Sequence, residues 1–171
     1  MAYIKQISFG CFAVLALILV GVLTWPVNAL SAEQNDAIVQ NCSNIKQSLQ
    51  QLQRADSRTR AYLGSAYETI STRFITPLNV RMVRNNLTST VLFRIQNDFS
   101  SAQAIFRDSY VDYMRELENL IATDCTRAPE DFYNKLISAR NKREELRSVT
   151  KQLADLANEQ YQTVEELRNT L

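Results

Sequence analysis

Histidine is absent from the 171 residues, and glycine, proline and cysteine each occur only three times. Without imidazole, the most versatile acid–base group and metal ligand is missing, so proton transfer would fall to carboxylates, lysines or tyrosines. Di-metal carboxylate bundles, which need a Glu-x-x-His pattern, are excluded outright. Beyond residue 32 the only residues of the glycine and proline kind are Gly64, Pro77 and Pro129. A chain so poor in turn residues cannot supply the connections of several short strands, and it reads as all-α. No Gly-rich phosphate loop, nucleophile elbow or dinucleotide fingerprint is present. The sequence therefore indicates no catalytic residue, no cofactor and no small-molecule substrate.

An excess of one charge is also missing. Lysine and arginine number 19 against 18 aspartates and glutamates, so bulk attraction to nucleic acid or to an anionic surface is not implied. The distribution is less even than the total. From Lys46 to Arg94 there are 8 basic residues opposed by Asp56 and Glu68 alone, and from Ile95 onward there are 10 basic against 14 acidic. Packing of a basic arm beside an acidic one accounts for this pattern. The densest part, Arg54, Arg58 and Arg60, lacks the interleaved aromatics that stack nucleic-acid bases.

What is present at the start is a long apolar run, from Ile7 to Leu23, preceded by Lys5 and followed by Trp25-Pro26-Val27-Asn28-Ala29. Two small-residue patterns, ending at Ala29 and at Ala32, are candidate cleavage points, and residues 1–32 read as an export signal. The alternative is a retained anchor with membrane contact through residues 7–25, since roughly 17 to 25 apolar residues span a bilayer. Either way residues 33–171 are expected outside the cytoplasm, in a periplasmic, extracellular or cell-surface location. Cys11 lies within the run and leaves with it if cleaved. It stands too early for lipid modification, which falls after such a run. Cys42 and Cys125 remain, and in an oxidising compartment a lone pair is expected to form a disulfide. A zinc site is not supported, because two thiolates cannot complete a tetrahedral shell without further ligands.

Apolar residues then recur at helical spacing. The first stretch carries Ile38, Cys42, Ile45, Leu49 and Leu52, then Leu63, Tyr67, Ile70, Phe74, Leu78 and Met82. Asp56 and Thr59 interrupt it as a wet or frayed layer, and Ala61, Gly64, Ser65 and Ala66 allow close backbone approach nearby. The second stretch, Leu92, Ile95, Phe99, Ala102, Phe106, Tyr110, Tyr113, Leu117 and Leu120, is a heptad-like seam. Its aromatics, at helical spacing, read as core. The third begins at Pro129 with Glu130 and Asp131 at the positive end of the helix dipole. It carries Phe132, Leu136, Ala139, Leu146, Val149, Leu153, Leu156, Tyr161, Val164, Leu167 and Leu171.

In an antiparallel hairpin, facing residues have a constant index sum, so a bond between Cys42 and Cys125 places the reversal near residue 83 or 84. Arg84-Asn85-Asn86-Leu87-Thr88-Ser89 lies there, with asparagines suited to a turn and Thr88 or Ser89 able to cap the next helix. Pro77 then reads as a kink or local break, with Thr76 able to cap a restarted helix. The expected architecture is an elongated, coiled-coil-like antiparallel bundle of three helices, about 33–83, 88–124 and 129–171. Each would be roughly 60 Å long at ~1.5 Å per residue.

Paired acids such as Asp108 and Asp112, Asp112 and Glu116, Glu144 and Glu145, and Glu165 and Glu166 would need a concave cleft to do chemistry, which narrow bundles seldom supply. Charge runs such as Arg140 to Arg147 read as a solvated helix face. Asn41-Cys42-Ser43 and Asn86-Leu87-Thr88 match the glycosylation pattern. The expected function is non-enzymatic: a structural, scaffolding or adaptor role in the cell envelope through a protein partner or self-association. A holdase-type chaperone, or a carrier of lipid or peptide, is the alternative, and it requires surplus apolar surface. Ile75, Val80, Val83, Phe93, Ile105, Val111 and Met114 fall off the main stripes and are the candidates to supply it.

Closing a loop of this length by a disulfide stabilises a fold by about 4 kcal/mol in the chain-entropy treatment. Cys42→Ser is therefore expected to lower the melting temperature in oxidising buffer and to leave it unchanged in reductant. Equal melting of both proteins without reductant would remove the disulfide.

Overall fold

The computed structural model describes residues 30–87 and 89–170, of which 91% are helical, and none of these lies in a strand. The apolar run 7–23, the membrane-contact span 7–25 and the cleavage candidate Ala29 lie outside the described residues, as do Thr88 and Leu171. Ala32, the other cleavage candidate, opens the first helix, α1, which runs Ala32–Thr69. A six-residue π-helical turn, Ile70–Ile75, continues it into α2, Thr76–Arg84. Then follow α3, Thr90–Ala122, and α4, Pro129–Thr170.

These segments form three rods packed together, and their cross-contacts run antiparallel. Along the first pair, Cys42 meets Cys125, Asp56 meets Tyr113 and Asn79 meets Leu92. Along the second, Glu116 meets Ser138 and Arg94 meets Glu159. The Sγ atoms of Cys42 and Cys125 are at bonding distance with Cα atoms 5.6 Å apart, inside the range that a disulfide spans.

The connection after α2 follows from local chemistry. Asn86 adopts φ 55°, a left-handed conformation that asparagine tolerates better than most residues. This lets Asn86 N–H donate to Val83 O at 3.1 Å and Leu87 N–H to Met82 O at 2.9 Å. Together the two bonds satisfy the last carbonyls of α2 in a Schellman motif. Ser89 Oγ then accepts from Leu92 N–H at 3.3 Å and caps α3. The reversal falls a few residues later than the constant-sum argument gives, because Cys125 lies in the irregular connection beyond Ala122 rather than on a helix. Asp124 organises that connection by accepting from Thr126 N–H and Oγ1 and from Arg127 N–H.

Pro77 neither ends the first rod nor requires a restart. Thr76 is helical, with φ −62° and ψ −49°, and its N–H donates to Ser71 O, five residues back. Proline has no N–H for the carbonyl four residues earlier and its ring crowds that carbonyl; the wider π turn accommodates both. The extra residue shifts the phase of the rod. Ile75, expected off the stripe, is buried at 1% exposure, whereas Phe74, expected in the core, stands 63% exposed. From the last residue of the π turn onward the inward positions are Ile75 and Asn79, and Asn79 Nδ2 donates to Leu92 O at 3.1 Å and Gln96 Oε1 at 2.6 Å. A similar correction applies in α4. Tyr161 lies five residues beyond Leu156, out of helical phase, and is exposed; Gln160, at the inward position, is buried.

The core divides into two clusters. Near the cysteine pair, Leu49, Tyr113, Leu117, Leu120, Cys125, Phe132 and Ala139 are buried together. Toward the turn, Tyr67, Ile75, Phe99, Ala102, Phe106, Leu153 and Leu156 form the second cluster. There Tyr67 meets the rings of Phe99 and Phe106 edge-on, with centroids 6.2 and 5.3 Å away.

Ile75→Ala is expected to destabilise the protein by about 2–5 kcal/mol, as deletion of a buried isoleucine does. Phe74→Ala should stay within about 0.5 kcal/mol of the parent, as surface changes do. Denaturant unfolding of the two variants checks this, and the reverse order would contradict the phase shift.

Candidate functional site

Asp56 and Thr59, the polar residues that interrupt the apolar stripe of α1, mark the boundary between the two core clusters. Asp56 points inward, its side chain 17% exposed, and accepts three hydrogen bonds. Tyr113 Oη donates at 2.6 Å, Arg143 Nε at 2.9 Å and Arg143 Nη2 at 3.0 Å. One residue from each rod thus meets in a single layer. The arginine grips the carboxylate through two parallel bonds, a geometry open to guanidinium but not to ammonium. Burial, with the Asp56 carboxylate as hydrogen-bond acceptor, pushes the Tyr113 phenol well above its ordinary range. It stays protonated through neutral pH and holds the layer as a donor.

Beside this layer opens a cleft of 490 Å³ between α1, α3 and α4. Arg60, Arg140, Arg143 and Arg147 line it with Asp56 and Glu144. Arg60 lies 5.0 Å from the Tyr110 ring centroid, and Tyr110 Oη donates to Ser57 Oγ at 3.2 Å. Tyr110, read from its spacing as core, is half-buried and forms a wall of the cleft. A second hollow of 320 Å³ opens around Gly64. Gly64 itself does not serve close backbone approach, since a Cβ built there meets nothing within 4 Å.

Four of the acids paired by spacing meet separate partners instead of one another. Asp112 pairs with Arg115 at 2.8 Å, Glu116 accepts from Ser138 Oγ at 3.0 Å, Glu145 pairs with Lys142 at 2.7 Å and Glu144 with Arg147 at 3.7 Å. Among the described residues no group of three acids or cysteines is placed to hold a metal ion, and no helix is long and apolar enough to cross a membrane. The basic arm departs from expectation. Of its eight basic residues only Arg94 forms an ion pair among the described residues, with Asp98 at 3.0 Å and with Glu159. The remaining cations of this arm are not neutralised by the acid-rich half of the chain.

The off-stripe apolar residues also separate. Ile75 is buried and Met114 packs against the first core cluster, while Val80, Val83, Phe93, Ile105 and Val111 are exposed. With Phe74, Leu87 and Val91, three of these gather around the α2–α3 turn. Comparison with known protein families, curated proteins and solved structures finds no significant match.

Asp56→Ala leaves a buried tyrosine hydroxyl without its acceptor and is expected to destabilise the fold by about 1–3 kcal/mol. Adding Tyr113→Phe should restore part of that loss, because the two changes remove the same interaction. The raised Tyr113 pKa also sets a pH dependence. The unfolded chain ionises this phenol near pH ~10 and the folded chain resists, so stability is full below that value and falls as pH rises above it. Alkaline melting curves should show a shallower decline for Tyr113→Phe than for the parent.

Proposed function

We propose that this chain is an exported or membrane-anchored helical protein of the cell envelope that acts by binding another protein, in a structural, scaffolding or adaptor role and without catalysis. The observation that carries this reading is where the apolar surface lies. Of eleven exposed large hydrophobic side chains among the described residues, six fall between Phe74 and Phe93, on the two helix ends that flank the turn. Burial of such side chains returns about 25 cal/mol per Å² removed from water, and single scattered residues would not gather in this way. The elongated rod suits such a role, because Ala32 lies at the end of the bundle that holds the cysteine pair and the apolar surface lies at the other.

A holdase or a lipid or peptide carrier would also use apolar surface. A clasping mechanism, however, calls for that surface along facing arms, whereas here those faces are filled by the two core clusters. Docking of a defined partner at the turn is the better fit.

Two measurements test the proposal. The intact mass of the secreted or membrane-extracted chain is expected to begin at Leu30 or Glu33, or to retain Met1 or Ala2 in the membrane fraction. Recovery of the chain in the cytoplasm would sink the envelope assignment. A photo-reactive benzoylphenylalanine in place of Phe93 should give one discrete adduct in the source cell, and the same group at Tyr62 should give none. A broad ladder at Phe93 would favour the holdase, and adducts at Tyr62 alone would overturn the turn-end reading.

A further inference from the structure

A groove of 500 Å³ runs between the π turn with α2 on one side and the last turns of α4 on the other. Phe74 and Tyr161, 63% and 65% exposed, form lips on opposite rods, and Pro77, Leu78 and Val164 make much of the floor apolar. Arg73 and Arg81 are its charged residues, and neither pairs with an acid among the described residues. Gln160 lines the same groove at 7% exposure, and both its amide nitrogen and its amide oxygen lack a hydrogen-bond partner.

The π turn is what places Phe74 here. Without the added residue it would point into the core, and π turns of this kind recur at functional sites. Each feature restricts the occupant. Two unneutralised arginines call for negative charge, and exposed aromatic lips call for apolar side chains. A buried amide wanting a donor and an acceptor together is matched by a peptide unit, which presents both side by side when extended. An ionised fatty acid would accept from Nε2 and leave Oε1 unanswered, and a helical segment has already used its backbone groups.

We propose that this groove binds an extended, acidic and apolar peptide segment of a partner protein, with Gln160 reading the backbone and Arg73 and Arg81 reading the charge. The assignment deepens the turn-end docking reading and rests on it.

The test uses the full chain purified with its cysteines oxidised, and a fluorescein-labelled hexapeptide of alternating glutamate and leucine followed by anisotropy. Three further probes are the lysine counterpart, the same acidic peptide with N-methylated backbone, and palmitate as competitor. The acidic peptide is expected to bind, and the lysine and N-methylated peptides to bind at least tenfold more weakly. Gln160→Leu should lose tenfold or more in affinity while melting no lower than the parent, since the substitution removes an unpaired buried amide. The double variant Arg73→Glu with Arg81→Glu should prefer the lysine peptide. Equal binding of the acidic peptide by the charge-reversed variant, or no binding by the parent, would overturn the proposal. So would tight palmitate binding that survives Gln160→Leu, which would mark the groove as a lipid site. A discrete adduct at Phe93 alongside any of these failures would remove the peptide assignment and leave turn-end docking standing; absence of both would remove the two together.

Discussion

Burial of one row of side chains on α3 organises everything else. Leu92, Ile95, Phe99, Ala102, Phe106, Tyr113, Leu117 and Leu120 are at most 3% exposed, and they contribute to both core clusters. The other two rods bury their own apolar faces against this row, as amphipathic helices must. The first rod is tied at Cys42 to the connection that follows α3, and its far end, α2, is led back to α3 by the Asn86 turn, so its register is determined near both ends. Between those ends its apolar stripe is interrupted by the polar layer at Asp56, near which the two clefts open.

Much of this architecture is legible in the residues. The α3 row reads directly, Tyr110 apart, because its spacing is regular, and the scarcity of glycine and proline confines turns to two places. The pairing of Cys42 with Cys125 follows from arithmetic once Cys11 is set apart in the apolar run, and the turn falls within a few residues of where that pairing puts it. The misreadings have a common physical origin in helical phase. A spacing argument assumes 3.6 residues per turn, and the six residues of the π segment violate it, so Phe74 and Ile75 exchange places. Pro77 was the available signal, since a proline within a long apolar stripe must be accommodated by some departure from the α form. Gln160 was hidden for a different reason. A polar residue at the inward position counts as an interruption, and the nearby Tyr161 drew the stripe toward itself.

The candidate site was less legible because it depends on partners across rods. Asp56 stands out as a defect in the stripe of α1, yet nothing local reveals that Tyr113 and Arg143 complete it. Charge counts were likewise misleading: a basic arm and an acidic arm imply neutralisation only if their side chains meet. In this bundle Asp112, Asp131, Glu145 and Asp155 find lysines or arginines three or four residues away on their own helices. Of the basic arm only Arg94 meets an acid, and Arg73 and Arg81 at the turn end pair with none among the described residues.

The polar layer also divides the molecule mechanically. A carboxylate that accepts from a phenol and a guanidinium forms a polar seam between the two core clusters, with Leu146 packed against both. Cooperative opening in helical proteins follows contiguous packed units. The half containing the cysteine pair is cross-linked through Cys42 and Cys125, while the rods of the half containing the turn are held by packing, hydrogen bonds and the Arg94–Glu159 ion pair. An opening that starts at the turn reaches the Asp56 layer before it reaches the cross-link, so the end that carries Phe74, Phe93 and Tyr161 lies across that layer from the covalent tie.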